Sequence, residues 1–257
     1  MAVDPDGYIT RPERREVQPA FADVVTDVTA RLSGGFPGLI HSIYLYGSIA
    51  EGRAIPGKSD LDVTIIFNHQ PDAVASEDLA TLKSALEHNH PVVSKIDFDC
   101  GVRDQVLHPS GTLSWGYWLR HHCVCVYGED LSEKFPTFTP SKAIAIAVNG
   151  DFREVTGQWF AQLKATTDDH ERLLLQRAIA RKLIRSTSIL RGEQDKDWPE
   201  TLNEHLIKFT LRFPAFAEEM NFLMTIANVP DGNLPPFEKR ALDFAGWLET
   251  TFRKTQD

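Results

Sequence analysis

The stretch Asp60-Leu-Asp-Val-Thr-Ile-Ile-Phe67 constrains the fold more than any other in the chain. Its body, Leu61 to Phe67, is apolar and β-branched enough to belong inside a sheet. Its mouth carries two carboxylates. In a strand, residues two apart point to one face, so Asp60 and Asp62 stand within ~7 Å of each other and repel. A chain that places such a pair where a buried strand begins needs a cation to meet it. The natural partner is a divalent ion such as Mg²⁺, which takes hard oxygen ligands and keeps positions open for substrate phosphates.

The preceding residues suit the other end of such a ligand. Leu39 to Tyr46 read as a strand that ends at Gly47-Ser48. Ser48 then reads as the N-cap of a short helix whose first turn is Ile49 to Arg53. Free backbone N–H groups at a helix start, beside a hydroxyl, form an anion site, and Gly47 lets the backbone come close to a phosphate. A turn through Pro56, Gly57, Lys58 and Ser59 leads back into the strand at Asp60. Anion site and carboxylate pair, a twelve-residue step apart from Ser48 to Asp60, would hold a metal–triphosphate between them. A two-metal phosphoryl or nucleotidyl transfer site calls for a third carboxylate. A third strand, Val92 to Cys100, offers Asp97 and Asp99 on one face; either could complete the metal site or take a proton from an attacking hydroxyl. A lone Asp-x-Asp is common on exposed strand ends, and Gly-Ser before a helix is common as a plain cap. The order of the parts carries the reading.

Around this stretch the chain divides. Phe21, Val24, Val25, Val28 and Leu32 recur at helical spacing, and Glu77 to His90 repeats the pattern through Leu79, Leu82 and Leu86. Leu113 to His122 reads as a short helix and Cys123 to Tyr127 as a strand. Beyond the Pro- and Phe-rich segment 135–140 no convincing strand follows; 141–163, 168–192, 200–210, 213–228 and 235–254 read as helices. The expected class is therefore α+β, a mixed-sheet domain over 18–138 followed by an all-α domain over 139–257, with a loosely held arm over 1–17. A chain of 257 residues has room for this.

Thirty-six acidic against 27 basic side chains give a net charge of −9, which argues against bulk nucleic-acid binding. Cys100, Cys123 and Cys125 lack metal or redox spacing and read as buried free thiols of a reducing cytoplasm. The N-terminal residues carry no apolar leader, and no apolar run reaches the ~18 residues of a membrane span.

The segment Gly47-Ser-Ile-Ala-Glu-Gly-Arg-Ala54, followed by Ser59-Asp-Leu-Asp62 and a later strand aspartate, resembles the DNA polymerase β-like nucleotidyltransferase superfamily. Its small bacterial members, the aminoglycoside and lincosamide nucleotidyltransferases, look most similar. The resemblance covers residues 20–130 and implies two Mg²⁺ ions on Asp60, Asp62 and a third aspartate. It also implies that Gly47 and Ser48 grip the β- and γ-phosphates of a nucleoside triphosphate, expected to be ATP. An acceptor hydroxyl would attack the α-phosphorus and release pyrophosphate. Lys95-Ile-Asp97-Phe fits the family's third-aspartate pattern better than Phe98-Asp99-Cys, so Asp97 is the expected third catalytic carboxylate, with Asp99 kept as a further candidate metal ligand. Many relatives carry Arg three residues after the serine; here that position is Glu51, and Arg53 is the substitute phosphate contact, with Ser59 beside it.

Other clusters have plainer readings. Arg177, Arg181 and Arg185, with Lys182, line one helix face and read as a solvated face, the alternative being a basic wall for the triphosphate. His121 and His122 read as structural, and Trp115, Tyr117 and Trp118 as core. Glu129 and Glu171 have only their charge to suggest an acceptor-side base. The expected acceptor is a small molecule, such as a cationic aminoglycoside-like antibiotic that the acidic surface would suit. Transfer to tRNA or protein, or a non-catalytic nucleotide-binding module, are the alternatives. A homodimer is an open expectation.

Overall fold

The computed structural model describes residues 2–13 and 15–255. They fall into two compact units, Thr10–Phe138 and a second made of residues up to Ile9 together with those from Thr139 onward.

The first unit is built on a mixed four-stranded sheet in the order β3-β2-β1-β4. Helix α1 (Ala22–Gly35) leads to β1 (Ile40–Tyr46), a single turn α2 (Gly47–Ala50), β2 (Leu61–Phe67), α3 (Ala73–Asn89) and β3 (Ile96–Val102). A helical turn α4 (Arg103–Val106), a π-turn over Thr112–Gly116 and α5 (Tyr117–His121) precede β4 (Val124–Gly128). β1 runs antiparallel to β2 and β4, whereas β2 and β3 are parallel, the crossover being α3.

The two faces of the sheet are both used. Leu61, Val63, Ile65 and Phe67 of β2 join Ile43 and Leu45 of β1 and Ile96 of β3 in a core with Val24, Val28 and Leu32 of α1 and Leu79 and Leu86 of α3. Alternation sends Thr64 and Ile66 to the opposite face, yet they too are wholly buried. There the indole N–H of Trp118 donates to Thr64 Oγ1 at 3.1 Å. A strand covered on both faces can be apolar along its length, as β2 is. Tyr44 ties this face to the chain leaving β4: its buried hydroxyl accepts from Leu131 N at 2.7 Å and donates to Glu129 O at 3.3 Å.

The second unit is helical: α6 (Lys142–Asn149), α7 (Phe152–Ala165), α8 (Asp169–Ser186), α9 (Leu202–Arg212), α10 (Ala217–Asn228) and α11 (Leu234–Lys254). α8 is its axis and packs against each of the others, with Leu175, Ile179, Leu183 and Ile184 inward. The single helix expected over 141–163 breaks at Gly150-Asp151 into α6 and α7.

Some expectations shift. The third strand starts at Ile96 rather than Val92, because residues 92–95 form a turn whose Val92 carbonyl accepts from Gly57 N at 2.7 Å. Cys123 is buried, but Cys125 is only partly so and Cys100 is exposed; all are free thiols. Of the arm set aside over 1–17, residues Ala2 and Ile9 are buried, Val3 bridges Ile9, and Asp4 Oδ1 accepts from Tyr8 N at 2.9 Å. Met1 and Arg14 of that arm, and Gln256 and Asp257 of the helical domain expected over 139–257, lie outside the described residues. Among the described residues no helix is long and apolar enough to cross a membrane.

Tyr44→Phe would leave the Leu131 N–H buried without its acceptor. The variant should lose about 1–3 kcal/mol of stability, read as a lower midpoint in chemical denaturation.

Candidate active site

Strand register builds the site. In the parallel pair, Asp62 lies beside Asp97 and Thr64 beside Asp99; in the antiparallel pair, Tyr46 lies beside Asp62. Pairing continues before the strands start: Leu61 N donates to Lys95 O and Ser94 N to Ser59 O, both at 3.0 Å. This brings Ser94 and Lys95 against Asp60, which sits at the entrance of β2 rather than within it. The Ser94 hydroxyl donates to Asp60 Oδ1. Lys95 Nζ is 2.5 Å from Asp97 Oδ2 and 3.7 Å from Asp60 Oδ2.

One side of the sheet's end thus carries Asp60, Asp62 and Asp97 around one ammonium. Burial works against the Lys95 charge, but its hydrogen bond to Asp97 and the charges of Asp97, Asp60 and Asp62 outweigh burial and hold it protonated above its usual range. Asp99 lies one pleat deeper, and burial raises its carboxyl above the usual value. Tyr46 is raised as well, first by burial and then by the negative charges of Asp62, Asp99 and Asp97, so its phenol stays protonated. Its ring meets Trp118 edge-on at 4.8 Å between centroids.

Gly47 makes the close approach on the other side. Its φ of +69° turns the chain straight off β1, and a side chain there would collide with Asp62 Oδ2. For the same reason the turn begins one residue earlier than expected. Ser48 is not the N-cap: Tyr46 occupies that position in extended backbone (φ −142°) and no side chain caps the turn. The loop is braced by Gln18, whose side-chain oxygen accepts from Ala54 N at 2.9 Å, and by Arg15, which donates to Glu51 O at 3.3 Å.

Among the other expected contacts, Arg53 is exposed and pairs with Glu51. Ser59 Oγ accepts from Ile55 N at 2.9 Å and closes the turn before β2. The arginine row does not form a solvated face alone: Arg181 Nε donates to Ala227 O at 3.3 Å and Arg177 to Asn228 O at 3.5 Å, at the C-terminal end of α10. Cations belong at that end of a helix. Lys182 pairs with Asp151 at 2.6 Å. His121 is held by the Thr10 carbonyl at 2.9 Å and His122 by Tyr117 Oη at 2.7 Å, both structural bonds. Glu129 pairs with Lys134 at 2.8 Å, and Glu171 accepts from the Thr166 hydroxyl beside the start of α8.

Sequence reasoning overlooked Lys95 and Ser94 as partners of the carboxylates. The signal for Lys95 was present: it stands two residues before Asp97, the spacing that shares a strand face.

The donor chemistry suits a hard divalent cation: three carboxylates on neighbouring strands, with a glycine backbone against one of them. Among the described residues no three His, Cys, Asp or Glu side chains converge as they stand on one ion position. Asp60 and Asp97 are turned toward Lys95, which holds the place of a cation.

Residues 31–104 match the family model of the nucleotidyltransferase domain. No curated protein matches the chain. Among solved structures, the spectinomycin adenyltransferase AAD(9) from Enterococcus faecialis, determined with ATP and spectinomycin, superposes with a TM-score of 0.55 at 13% identity, covering 90% of this chain and 98% of its own. The chain carries a nucleotidyltransferase domain followed by a helical region, and by that domain it is a transferase.

Two predictions follow from this geometry. Gly57 also has positive φ, at +73°, but with open space around it; Gly57→Ala should cost about 1–2 kcal/mol, and Gly47→Ala distinctly more, compared by chemical denaturation. Lys95→Met should lower the melting temperature in metal-free buffer, because Asp60, Asp62 and Asp97 then repel without the ammonium; Asp97→Asn in that background should restore part of the loss.

Proposed function

We propose that this protein transfers a nucleoside monophosphate from a nucleoside triphosphate, ATP by preference, to a hydroxyl of a small-molecule acceptor. The observation that carries the reading is the register that sets Asp62 beside Asp97, with Gly47 backbone packed against the Asp62 carboxylate. Asp60, Asp62 and Asp97 would hold Mg²⁺. Asp97 is the third carboxylate rather than Asp99, which is farther into the sheet and beside Thr64.

When bound, Mg²⁺ supplies charge neutralisation on the triphosphate and polarises the α-phosphoryl group. The chain's own residues do the rest. Gly47 and Ser48 bind the β- and γ-phosphates through backbone N–H groups and the serine hydroxyl, with Arg53 and Ser59 as flanking contacts. Holding the triphosphate against the carboxylates aligns the α-phosphorus for attack. The Asp97 carboxylate takes the proton of the acceptor hydroxyl. Lys95, displaced from the carboxylates, remains within reach of the phosphates on its flexible stem.

For the acceptor, the net charge of −9 favours a cationic molecule. The AAD(9) structure contains ATP and spectinomycin on a comparable fold, which supports the same acceptor class here.

Titration of non-hydrolysable ATP and GTP analogues by calorimetry, with and without Mg²⁺, tests the reading. Wild type should bind the ATP analogue only with Mg²⁺, and Asp62→Asn should weaken that binding at least tenfold while keeping the wild-type fold by circular dichroism. No binding of either analogue to wild type, or equal binding by the variant, overturns it.

A further inference from the structure

The carboxylates at the mouth of β2 are already engaged by groups of the chain itself. Asp97 Oδ2 is 2.5 Å from Lys95 Nζ, and Asp60 Oδ2 is 3.7 Å from it. The other Asp60 oxygen, Oδ1, accepts from the Ser94 hydroxyl. Three negative charges, those of Asp97, Asp60 and Asp62, act on this one ammonium.

The backbone of Lys95 is fixed, but its charge is not. Its carbonyl accepts from Leu61 N at 3.0 Å, and Ser94 N beside it donates to Ser59 O at the same distance. These bonds tie the residue to the start of β2. The side chain is 33% exposed, and a lysine ammonium rides on a flexible four-carbon stem. Nζ can therefore leave the carboxylates for solvent, or for a new anion, without any change in strand pairing.

A dication meets three carboxylates better than an ammonium does, but it cannot enter beside that ammonium without repulsion. Free Mg²⁺ has to evict Lys95 first and gains correspondingly less. A triphosphate alters the balance. Its oxygens receive the evicted ammonium in charge-assisted hydrogen bonds, so the lysine exchanges one set of anionic partners for another.

Building on the reading of these carboxylates as a metal–triphosphate site, we propose that Lys95 is an internal counter-ion. It holds the carboxylates against free divalent ions and yields them to metal and triphosphate arriving together. Lys95 is thus a positioning residue that makes metal binding depend on nucleotide and, by linkage, nucleotide binding depend on metal.

Titration of the full-length, metal-free protein with Mn²⁺, the free ion being read by electron paramagnetic resonance, tests this without turnover. Lys95→Met should bind Mn²⁺ alone at least tenfold more tightly than wild type. Lys95→Gln, neutral and polar, is a second variant and should do the same. Lys95→Arg keeps the charge and should stay close to wild type. So should Lys58→Met, which removes an exposed charge from the turn before β2 and so controls for net charge. With Mg²⁺ present, Lys95→Met should bind the ATP analogue more weakly than wild type, since the ammonium's contact with the phosphates is gone. Saturating Mn²⁺ should also raise the melting temperature of Lys95→Met more than that of wild type. Unchanged or weaker Mn²⁺ affinity in the neutral variants, while wild type binds Mg²⁺ and the ATP analogue together, overturns the counter-ion role alone. Equal tightening by Lys58→Met overturns it in favour of a general charge effect. Absence of Mg²⁺-dependent analogue binding to wild type overturns the reading of the site, and the counter-ion role with it.

Discussion

The parallel pairing of β2 with β3, which puts Leu61 beside Ile96 and Asp62 beside Asp97, is the contact on which the candidate site depends. A shift of one residue would turn every side chain of one strand to the other face. A slip of β2 would turn Asp62 into the core and Leu61 out of it, and a slip of β3 would do the same to Asp97 and Ile96; Leu61 and Ile96 are both wholly buried here. The apolar core under α1 and α3 therefore locks the register, and the register sets the carboxylates side by side. Their repulsion is charged against that core and eased by Lys95, whose ammonium sits between Asp97 and Asp60.

The other face of the sheet contributes by exclusion. Thr64, Ile66 and Tyr44 are buried there, and Trp118 reaches Thr64 by hydrogen bond and Tyr46 by ring contact. This cover ends where β1 and β2 give way to Gly47 and Asp62. The carboxylates thus sit at the boundary between a packed face and an open loop, where charge can be partly shielded without being sealed in. Asp99, one pleat deeper, and Tyr46, beside Asp62, are both raised by burial, which shows how quickly the surroundings become hostile to charge.

In the helical unit, charged side chains serve mainly to join helices. Arg177 and Arg181 look in sequence like a basic face for a polyanion, but they are spent on the terminal carbonyls of α10. Arg191 is held by the backbone carbonyls of Asp195 and Asp197 and lies over the Trp198 ring, with the charges of Asp195 and Asp197 close by. Such a role depends on which acceptors the tertiary fold brings near, and i, i+4 spacing is silent about it.

Local pattern determined much of this protein. The alternation and apolarity of Leu61 to Phe67 made it an interior strand, helical spacing marked α1, α3 and the back half, and Gly47-Ser48 followed by Asp60-Leu-Asp62 marked the site and its likeness to nucleotidyltransferases. These are properties of neighbours in the chain, and a strand or helix period records them. Only the tertiary structure decided which of Asp97 and Asp99 lies beside Asp62, because both share one face and the choice rests on inter-strand register. It also decided that Lys95 and Ser94 receive the Asp60 carboxylate, that Gln18 braces the glycine loop, and that Gly47 rather than Ser48 opens the turn. Each of these depends on partners distant in sequence or on the exact point where a strand ends, which the packing of the whole sheet sets and no local period encodes.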